Sequence, residues 1–282
     1  MFVVKVSGGL GNQMYQYVFG QYLSKKFNIE VKYEVSFYEN QPEHLDIRSY
    51  ELNKFNLDVP IINNVFFDQI KDLSRPKKII FFLSKFFFNF KQSFFIIPEA
   101  NYLYLRWLPR FIKNRYFIGY WQNEFFFQGI EDSIADWFVL KDEFEAKKEN
   151  LDTLLKINNS NSISIGVRRG DYVKLSVASD ISYYNQAISI ICSKVTNPVF
   201  FIFSDDIDWC KENLTINYSH FFVRSSQFLP FEDMELISKC QHNIISNSSY
   251  GWWGAYLNNN QDKIVISPKN SRSMGTPNFI QI

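Results

Sequence analysis

A short β-branched run meets a glycine-rich loop in Phe2-Val3-Val4-Lys5-Val6-Ser7-Gly8-Gly9-Leu10-Gly11-Asn12-Gln13. Apolar residues then recur at Met14, Tyr17, Val18 and Tyr22, which is the spacing of one helix face. The order strand, glycine loop, helix can bring backbone N–H groups and the positive end of a helix to a phosphate or a sugar. The loop is neither GxGxxG nor a P-loop, so a ligand-binding loop and a structural turn both remain open.

The same alternation continues after residue 150, where apolar runs are separated by segments long enough for crossover helices. These runs are Ile163–Val167, Val199–Phe203, Phe221–Val223, Asn243–Ile245 and Ile264–Ile266. The pattern predicts an α/β fold with a parallel sheet. Ser182 is expected to N-cap one helix, and Phe231–Cys240 is expected to form another. The first of these helices has one apolar face, made of Tyr184, Ile188, Ile191 and Val195.

Length and composition indicate two folded domains, or one large one. The chain has 282 residues, of which 46% are apolar and 18% aromatic, so it can bury a large core. A polar, charged segment begins at Asp142 and ends in Asn158-Asn159-Ser160-Asn161-Ser162. We expect the domain boundary there, which gives domains 1–155 and 156–282.

Charge and cysteine content exclude several classes of protein. A net charge of +1 argues against a protein that is basic overall and coats nucleic acid. The three cysteines, Cys192, Cys210 and Cys240, have neither CxxC nor Cys/His spacing, so no disulfide framework or zinc site is expected. No apolar stretch near Met1 is long enough for a signal peptide or an anchor, and we expect a protein of the reducing cytoplasm.

Residues 71–115 depart from this charge balance. They contain ten Lys and Arg, only two acidic residues, Asp72 and Glu99, and many phenylalanines. The basic residues are Lys71, Arg75, Lys77, Lys78, Lys85, Lys91, Arg106, Arg110, Lys113 and Arg115. A membrane span is not expected, since Lys85 and Lys91 would lie near mid-bilayer. The segment could contact an anionic membrane surface, or it could be a buried helical hairpin with solvated basic edges.

Two adjacent arginines follow the apolar run Ile163–Val167 in the motif Gly166-Val167-Arg168-Arg169-Gly170-Asp171-Tyr172. The carboxyl end of a central strand is where α/β sheets bind ligands, and one guanidinium group can bind two phosphate oxygens at once. Arg168 and Arg169 are therefore candidates to bind a diphosphate. Successive strand residues point to opposite faces, so if the pair is still extended only one arginine would meet the phosphate, and the other would contact the loop or an acid. Structural salt bridges are the alternative.

Two further motifs also follow apolar runs. The carboxylates Asp205 and Asp206 could bind a ribose or guanine edge, coordinate a divalent cation, or cap the next helix. Residues 246–249 stand where a strand meets a helix, so backbone and hydroxyl donors could meet a phosphate. The following Trp252 and Trp253 could line a sugar pocket or pack in the core.

The ordered motifs GGLGNQ at 8–13, VRRGDY at 167–172, FSDD at 203–206 and SNSSYGWWGA at 246–255 resemble those of glycosyltransferase family 11 α-1,2-fucosyltransferases. The resemblance implies a GT-B-like fold of two Rossmann-like domains that face a cleft. It also implies GDP-fucose as donor, inversion at the anomeric carbon, no cofactor and no metal requirement. The domain 1–155 would then be the acceptor side, and the domain 156–282 would bind the GDP-sugar.

The resemblance also implies roles for single residues. Arg168 and Arg169 match the family's arginine pair, one of which neutralises the leaving diphosphate. Donor-binding positions are expected at Gly9, Asn12, Gln13, Asp205, Asp206, Ser248 and Ser249. Asp171 could act as the general base, or it could orient the loop by pairing with an arginine. Gly166 stands where many members have His, so any role of that imidazole is missing or supplied elsewhere.

The expected acceptor is a galactose-terminated oligosaccharide or lipid-linked glycan, modified on the cytoplasmic side of the plasma membrane with the 71–115 segment as a tether. His44, His220 and His242 lie outside the motifs and are not expected to be catalysts. Two other functions compete with this interpretation. One is transfer from another nucleotide sugar, and the other is non-catalytic carbohydrate binding through Trp252, Trp253 and the many tyrosines. A nucleic-acid partner is not expected, because no recognised module accompanies the basic segment.

Overall fold

The computed structural model describes residues 1–39, 41, 47–62, 95–99, 114–141, 144, 147–223, 230–269 and 278–282. Most of the basic aromatic segment 71–115 lies outside these residues. The two alternatives stated for it, a membrane contact and a buried helical hairpin, therefore stay predictions. His44 also lies outside them. Within the described part of the chain, no helix is long and apolar enough to cross a membrane.

The chain divides into two compact units, residues 1–53 with 57–137 and residues 54–56 with 138–282. The division comes before the boundary expected between residues 155 and 156. The helix Lys148–Asn158 lies at the expected boundary. It belongs to the second unit because its buried Asn150 donates a hydrogen bond to Glu232 at 3.0 Å. Lys147 also forms an ion pair with Glu232.

The first unit contains a parallel sheet in the order β2-β1-β4-β3. Its elements are β1 Phe2–Lys5, α1 Leu10–Phe27, β2 Val31–Glu34, β3 Phe95–Pro98, β4 Arg115–Ile118 and α2 Glu131–Trp137. The predicted strand, glycine loop and helix at the start are confirmed. Helix α1 is buried on most of its surface, and its Phe19 ring stacks on Trp121 with centroids 3.9 Å apart. Helix α1 ends at Asn28, whose left-handed backbone has φ 50°.

The second unit contains a six-stranded parallel sheet in the order β10-β9-β8-β5-β6-β7. Its strands are β5 Asn161–Val167, β6 Pro198–Ser204, β7 His220–Phe222, β8 His242–Ile244, β9 Val265–Ser267 and β10 Ile280–Gln281. Its helices are α3 Lys148–Asn158, α4 Gly170–Lys174, α5 Ile181–Cys192, α6 Ile207–Asn213, α7 Pro230–Lys239 and α8 Ser249–Tyr256. The predicted parallel sheet and the helix expected at Phe231–Cys240 are therefore confirmed.

The prediction that Ser182 caps α5 is wrong. The cap is Asp180, whose carboxylate accepts the Ser182 N–H at 2.8 Å. Hydrogen bonds from the backbone and the side chain of Ser182 lower the pKa of Asp180. The predicted apolar face is buried, although Val195 follows the end of the helix.

Candidate functional site

Three of the four sequence motifs meet at one edge of the second unit's sheet. Strand β5 lies between β6 and β8, and Val167 at its end pairs with Ser204 at the end of β6. The segments after these three parallel strands carry the arginine pair, the acidic pair and residues 246–249. Ligands of open α/β sheets bind at this carboxyl edge.

Arg168 lies between two carboxylates. Its Nη1 is 3.2 Å from Oδ2 of Asp205, and its Nη2 is 3.5 Å from Oδ1 of Asp171. The guanidinium carbon lies 5.5 Å from the centre of the Tyr172 ring. Only 11% of the Arg168 side chain is exposed. Both acidic contacts fix the direction of the guanidinium group at the sheet edge.

Arg169 has different neighbours. Its guanidinium carbon lies 4.1 Å from the centre of the Trp209 ring, on α6. Its backbone N–H donates to Oδ1 of Asp205 at 2.8 Å. Arg168, by contrast, shares a small pocket with residues of β8 and α8. The two arginines therefore differ in their surroundings. Both follow the end of β5 at Val167, and Arg169 is the N-cap residue of α4, so the alternation of strand side chains does not apply to them.

The acidic pair divides into two roles. Asp205 contacts Arg168 through one carboxylate oxygen and the Arg169 N–H through the other. Asp206 is exposed and caps α6, since its carboxylate accepts the Trp209 N–H at 3.1 Å. In the part of the chain that the structure describes, no three His, Cys, Asp or Glu residues are grouped as metal ligands would be. The geometry supports the capping interpretation for Asp206 and an ion pair for Asp205.

Residues 246–249 lead from β8 into α8. The hydroxyl oxygen of Ser248 accepts the Tyr250 N–H at 3.2 Å, so this serine caps the helix. Ser249 is the first helical residue and is partly exposed. Trp252 and Trp253 have no exposed surface, so both pack in the core and neither can stack on a sugar. This burial removes the two tryptophans from the carbohydrate-binding alternative.

The glycine loop of the first unit is shaped by buried side chains. Gln13 is fully buried, donates to the carbonyls of Gly8 and Ser49 at 3.1 and 2.8 Å, and accepts the Glu51 N–H at 2.8 Å. These hydrogen bonds position the loop, and the expected contact of Gln13 with the donor stays a prediction. Asn12 accepts a hydrogen bond from Gln122 at 2.7 Å.

Gly9 precedes the first residue of α1, and Gly8 has φ 81°, a backbone conformation that favours glycine. The sequence analysis did not identify Gln16, which accepts the Ser7 N–H at 2.9 Å and donates to the Gly119 carbonyl at 2.8 Å. Its signal was a glutamine three positions after Gln13, between the aromatic residues Tyr15 and Tyr17. Gln16 thus connects the ends of β1 and β4.

A cysteine near the site is not a nucleophile. Cys210 on α6 is fully buried, and burial raises the pKa of its thiol to about 11. The thiol is therefore protonated at neutral pH, and only a thiolate would attack a sugar or phosphate.

The sequence profile of glycosyl transferase family 11 matches residues 1–276. The chain belongs to this family. It is 31% identical over 288 residues to the O-antigen biosynthesis glycosyltransferase WbnK of Escherichia coli, covering 94% of this chain and 92% of the relative. It is 33% identical over 280 residues to an Escherichia coli alpha-1,2-colitosyltransferase, covering 94% and 90%. Galactoside 2-alpha-L-fucosyltransferase Sec1 of Mus musculus is 29% identical over 177 residues, 57% of this chain and 48% of Sec1.

The fold is similar to that of the NodZ alpha-1,6-fucosyltransferase co-crystallised with GDP. The TM-score is 0.56 at 13% sequence identity, and the match covers 90% of this chain and 91% of NodZ. At this identity the likeness concerns the fold. The family resemblance and the GT-B-like α/β fold expected from the motifs are confirmed.

Proposed function

We propose that this glycosyltransferase transfers L-fucose from GDP-β-L-fucose to the 2-hydroxyl of a terminal galactoside, with inversion and without a metal or other cofactor. The observation that carries the proposal is the position of Arg168, held by Asp171 and Asp205 at the carboxyl edge of the sheet. We assign GDP-sugar binding to the second unit and the acceptor to the first.

Departure of GDP from the sugar builds negative charge on the diphosphate and positive charge on the sugar. A fixed cation beside the leaving oxygen stabilises this charge separation. Arg168 is suited to that role because it shares its pocket with Ser246 and Tyr250, next to the positive end of α8. Arg169, stacked on Trp209, supports the loop.

Proton transfer from the acceptor hydroxyl needs a weak base, or water, when the sugar–phosphate bond breaks early. Asp171 lies 3.5 Å from Arg168, which favours the role of orienting the guanidinium over that of general base. Asp205 serves the same orientation from the other side. The two acids therefore contribute to catalysis through the arginine.

One relative favours an alternative donor. The match to the alpha-1,2-colitosyltransferase covers 90% of that protein. Colitose is fucose without its 3-hydroxyl group. The second candidate function is therefore transfer of colitose from the corresponding GDP-sugar. The same arginine and the same linkage would serve both donors.

The acceptor is proposed to be a galactose-terminated oligosaccharide or lipid-linked glycan. The relatives that act on galactosides and in O-antigen biosynthesis support this choice. A lipid-linked acceptor would place the protein in the cytoplasm at the inner face of the plasma membrane. Contact of segment 71–115 with anionic lipid belongs to the same proposal.

The test is release of GDP, measured in EDTA, with and without a β-galactoside acceptor. GDP-fucose and GDP-colitose are compared with GDP-mannose and UDP-sugars as controls. We expect acceptor-dependent release from GDP-fucose, and mass spectrometry with linkage analysis should show an α-1,2 product. Release from GDP-colitose alone would establish the second candidate. Release from neither, by a protein that is folded, would contradict both.

A further inference from the structure

A surface depression of about 490 Å³ lies in the second unit, away from the sheet edge that carries Arg168. One wall is the C-terminal half of α5, and the other is the segment between α6 and β7. Because the strands of this sheet are parallel, the segments that lead into β6 and β7 lie at its amino edge, opposite the arginine pair. The volume falls within the range of small-molecule sites in proteins.

The side chains that line this depression are neutral. Asn185 and Ser189 line it from α5, Ser193 from the end of that helix, and Thr215 from the opposite wall. They supply hydroxyl and amide groups that can donate and accept hydrogen bonds, and none of the described residues that line the depression is charged. Such a lining suits a neutral, hydroxylated ligand better than a phosphate, a nucleotide or a metal ion.

Tyr218 forms an aromatic wall of the depression and is 44% exposed. Its ring packs against the buried Phe200, with centroids 6.1 Å apart, and its hydroxyl is hydrogen-bonded to the sulfur of Cys192. Its backbone carbonyl accepts the Nδ1–H of His220 at 2.9 Å. These contacts hold the ring in place and leave much of its surface open. A sugar presents C–H groups on its face and hydroxyl groups at its edge, so an exposed tyrosine ring beside polar side chains matches both.

Helix stability does not account for the polar side of α5. Its apolar side already packs in the core, and Asn and Ser have lower helix propensities than Lys, Glu or Gln. The short side chains of Asn185 and Ser189 leave the depression open, where longer ones would occupy it.

We propose that this depression binds a neutral sugar unit of a glycan chain, with the face of the sugar on the Tyr218 ring and its hydroxyl groups hydrogen-bonded to Asn185 and Ser189. Binding there needs neither the nucleotide nor the transfer reaction, so the inference goes beyond the proposed function. A glycan held at this second point has a higher effective concentration at the site of transfer when its chain is long enough to span both sites.

Cys192 provides a reporter of occupancy. It is partly exposed and lines the depression, whereas Cys210 and Cys240 are buried. Iodoacetamide should therefore modify Cys192 alone in the folded protein, and peptide mass spectrometry identifies the modified residue. Burial raises the pKa of the Cys192 thiol, so the reaction is run at about pH 9.

The test compares the rate of this modification with and without each of three neutral oligosaccharides, lacto-N-neotetraose, maltotetraose and cellotetraose, at about 10 mM. We expect at least one of them to slow the modification about twofold or more, since a bound sugar covers the thiol. Tyr218→Ala should abolish the slowing because it removes the aromatic wall. Ser189→Gln should reduce it because the longer side chain enters the depression.

Tyr120→Ala is the matched control, since Tyr120 is 46% exposed and belongs to the first unit. It should leave the protection of Cys192 unchanged. Absence of slowing by all three oligosaccharides would overturn the inference, and so would equal slowing in wild type and Tyr218→Ala. Should Tyr218→Ala fail to fold, full protection in Ser189→Gln would overturn it. Protection of Cys192 in a wild type that releases no GDP would contradict the proposed function alone.

Discussion

Asp205 connects the two arginines of the site through separate oxygens of one carboxylate. Oδ2 lies 3.2 Å from Nη1 of Arg168, and Oδ1 accepts the backbone N–H of Arg169 at 2.8 Å. One side chain on the loop after β6 therefore sets both the backbone after β5 and the direction of the Arg168 guanidinium. This pairing across two neighbouring strands gives the site a fixed cation before any ligand binds.

Asp205→Asn should lower turnover by about 100-fold while the fold remains intact. The amide oxygen can still accept the Arg169 N–H, but the charge that orients Arg168 is lost, and small misplacements of a catalytic group cost rates of this order. Initial rates of GDP release and the Tm of the free protein provide the measurement.

Asp206→Ala is the control for this prediction. It removes the cap of α6 and should lower the free energy of unfolding by about 1 kcal/mol, with turnover changed less than about twofold. If Asp206→Ala lost as much turnover as Asp205→Asn, the specific role of Asp205 would be refuted.

Gln16→Leu should lower the free energy of unfolding by about 2–4 kcal/mol, measured by urea denaturation. The substitution keeps the approximate size of the buried side chain but leaves the Ser7 N–H and the Gly119 carbonyl without its hydrogen bonds. Gln21→Leu on the same helix is the control, since Gln21 is only partly buried and donates to Tyr33 at 3.2 Å. A similar loss for both variants would argue against the role of Gln16 as the connection between strands.

Acid should destabilise the second unit through His242. Burial lowers the pKa of His242, and its Nδ1 accepts the Ile264 N–H at 3.0 Å, so the folded state favours the neutral ring. The unfolded chain takes up this proton near pH 6.5, so the stabilisation is present above that pH and decreases as the pH falls below it. His242→Asn keeps an acceptor that does not titrate, and its Tm should fall less between pH 7 and pH 5. An unchanged slope in this variant would exclude His242 as the cause.

The strands and the meeting of three motifs could be predicted because they follow from local patterns. Apolar runs at crossover spacing indicate parallel strands, and parallel strands place the residues that follow them at one edge. The cap of α5 could not be resolved in this way, since Asp180 and Ser182 are both good capping residues two positions apart.

The contacts of the site residues could not be predicted from the sequence, because they depend on strand register and on packing. Asp205 reaches both arginines because Val167 pairs with Ser204. Gln13 matches a family position, yet its buried amide donates to the Ser49 carbonyl and accepts the Glu51 N–H of a distant segment.

The account depends most on Arg168 as the group that stabilises the departing diphosphate. The direct measurement compares acceptor-dependent GDP release by Arg168→Ala and Arg169→Ala at saturating donor, with Tm as the check on folding. We predict that Arg168→Ala loses a factor of about 100 to 1,000 in turnover, as expected when a charge-stabilising donor is removed, and that Arg169→Ala loses much less. Turnover of folded Arg168→Ala within about tenfold of wild type, or a larger loss in Arg169→Ala, would contradict the account.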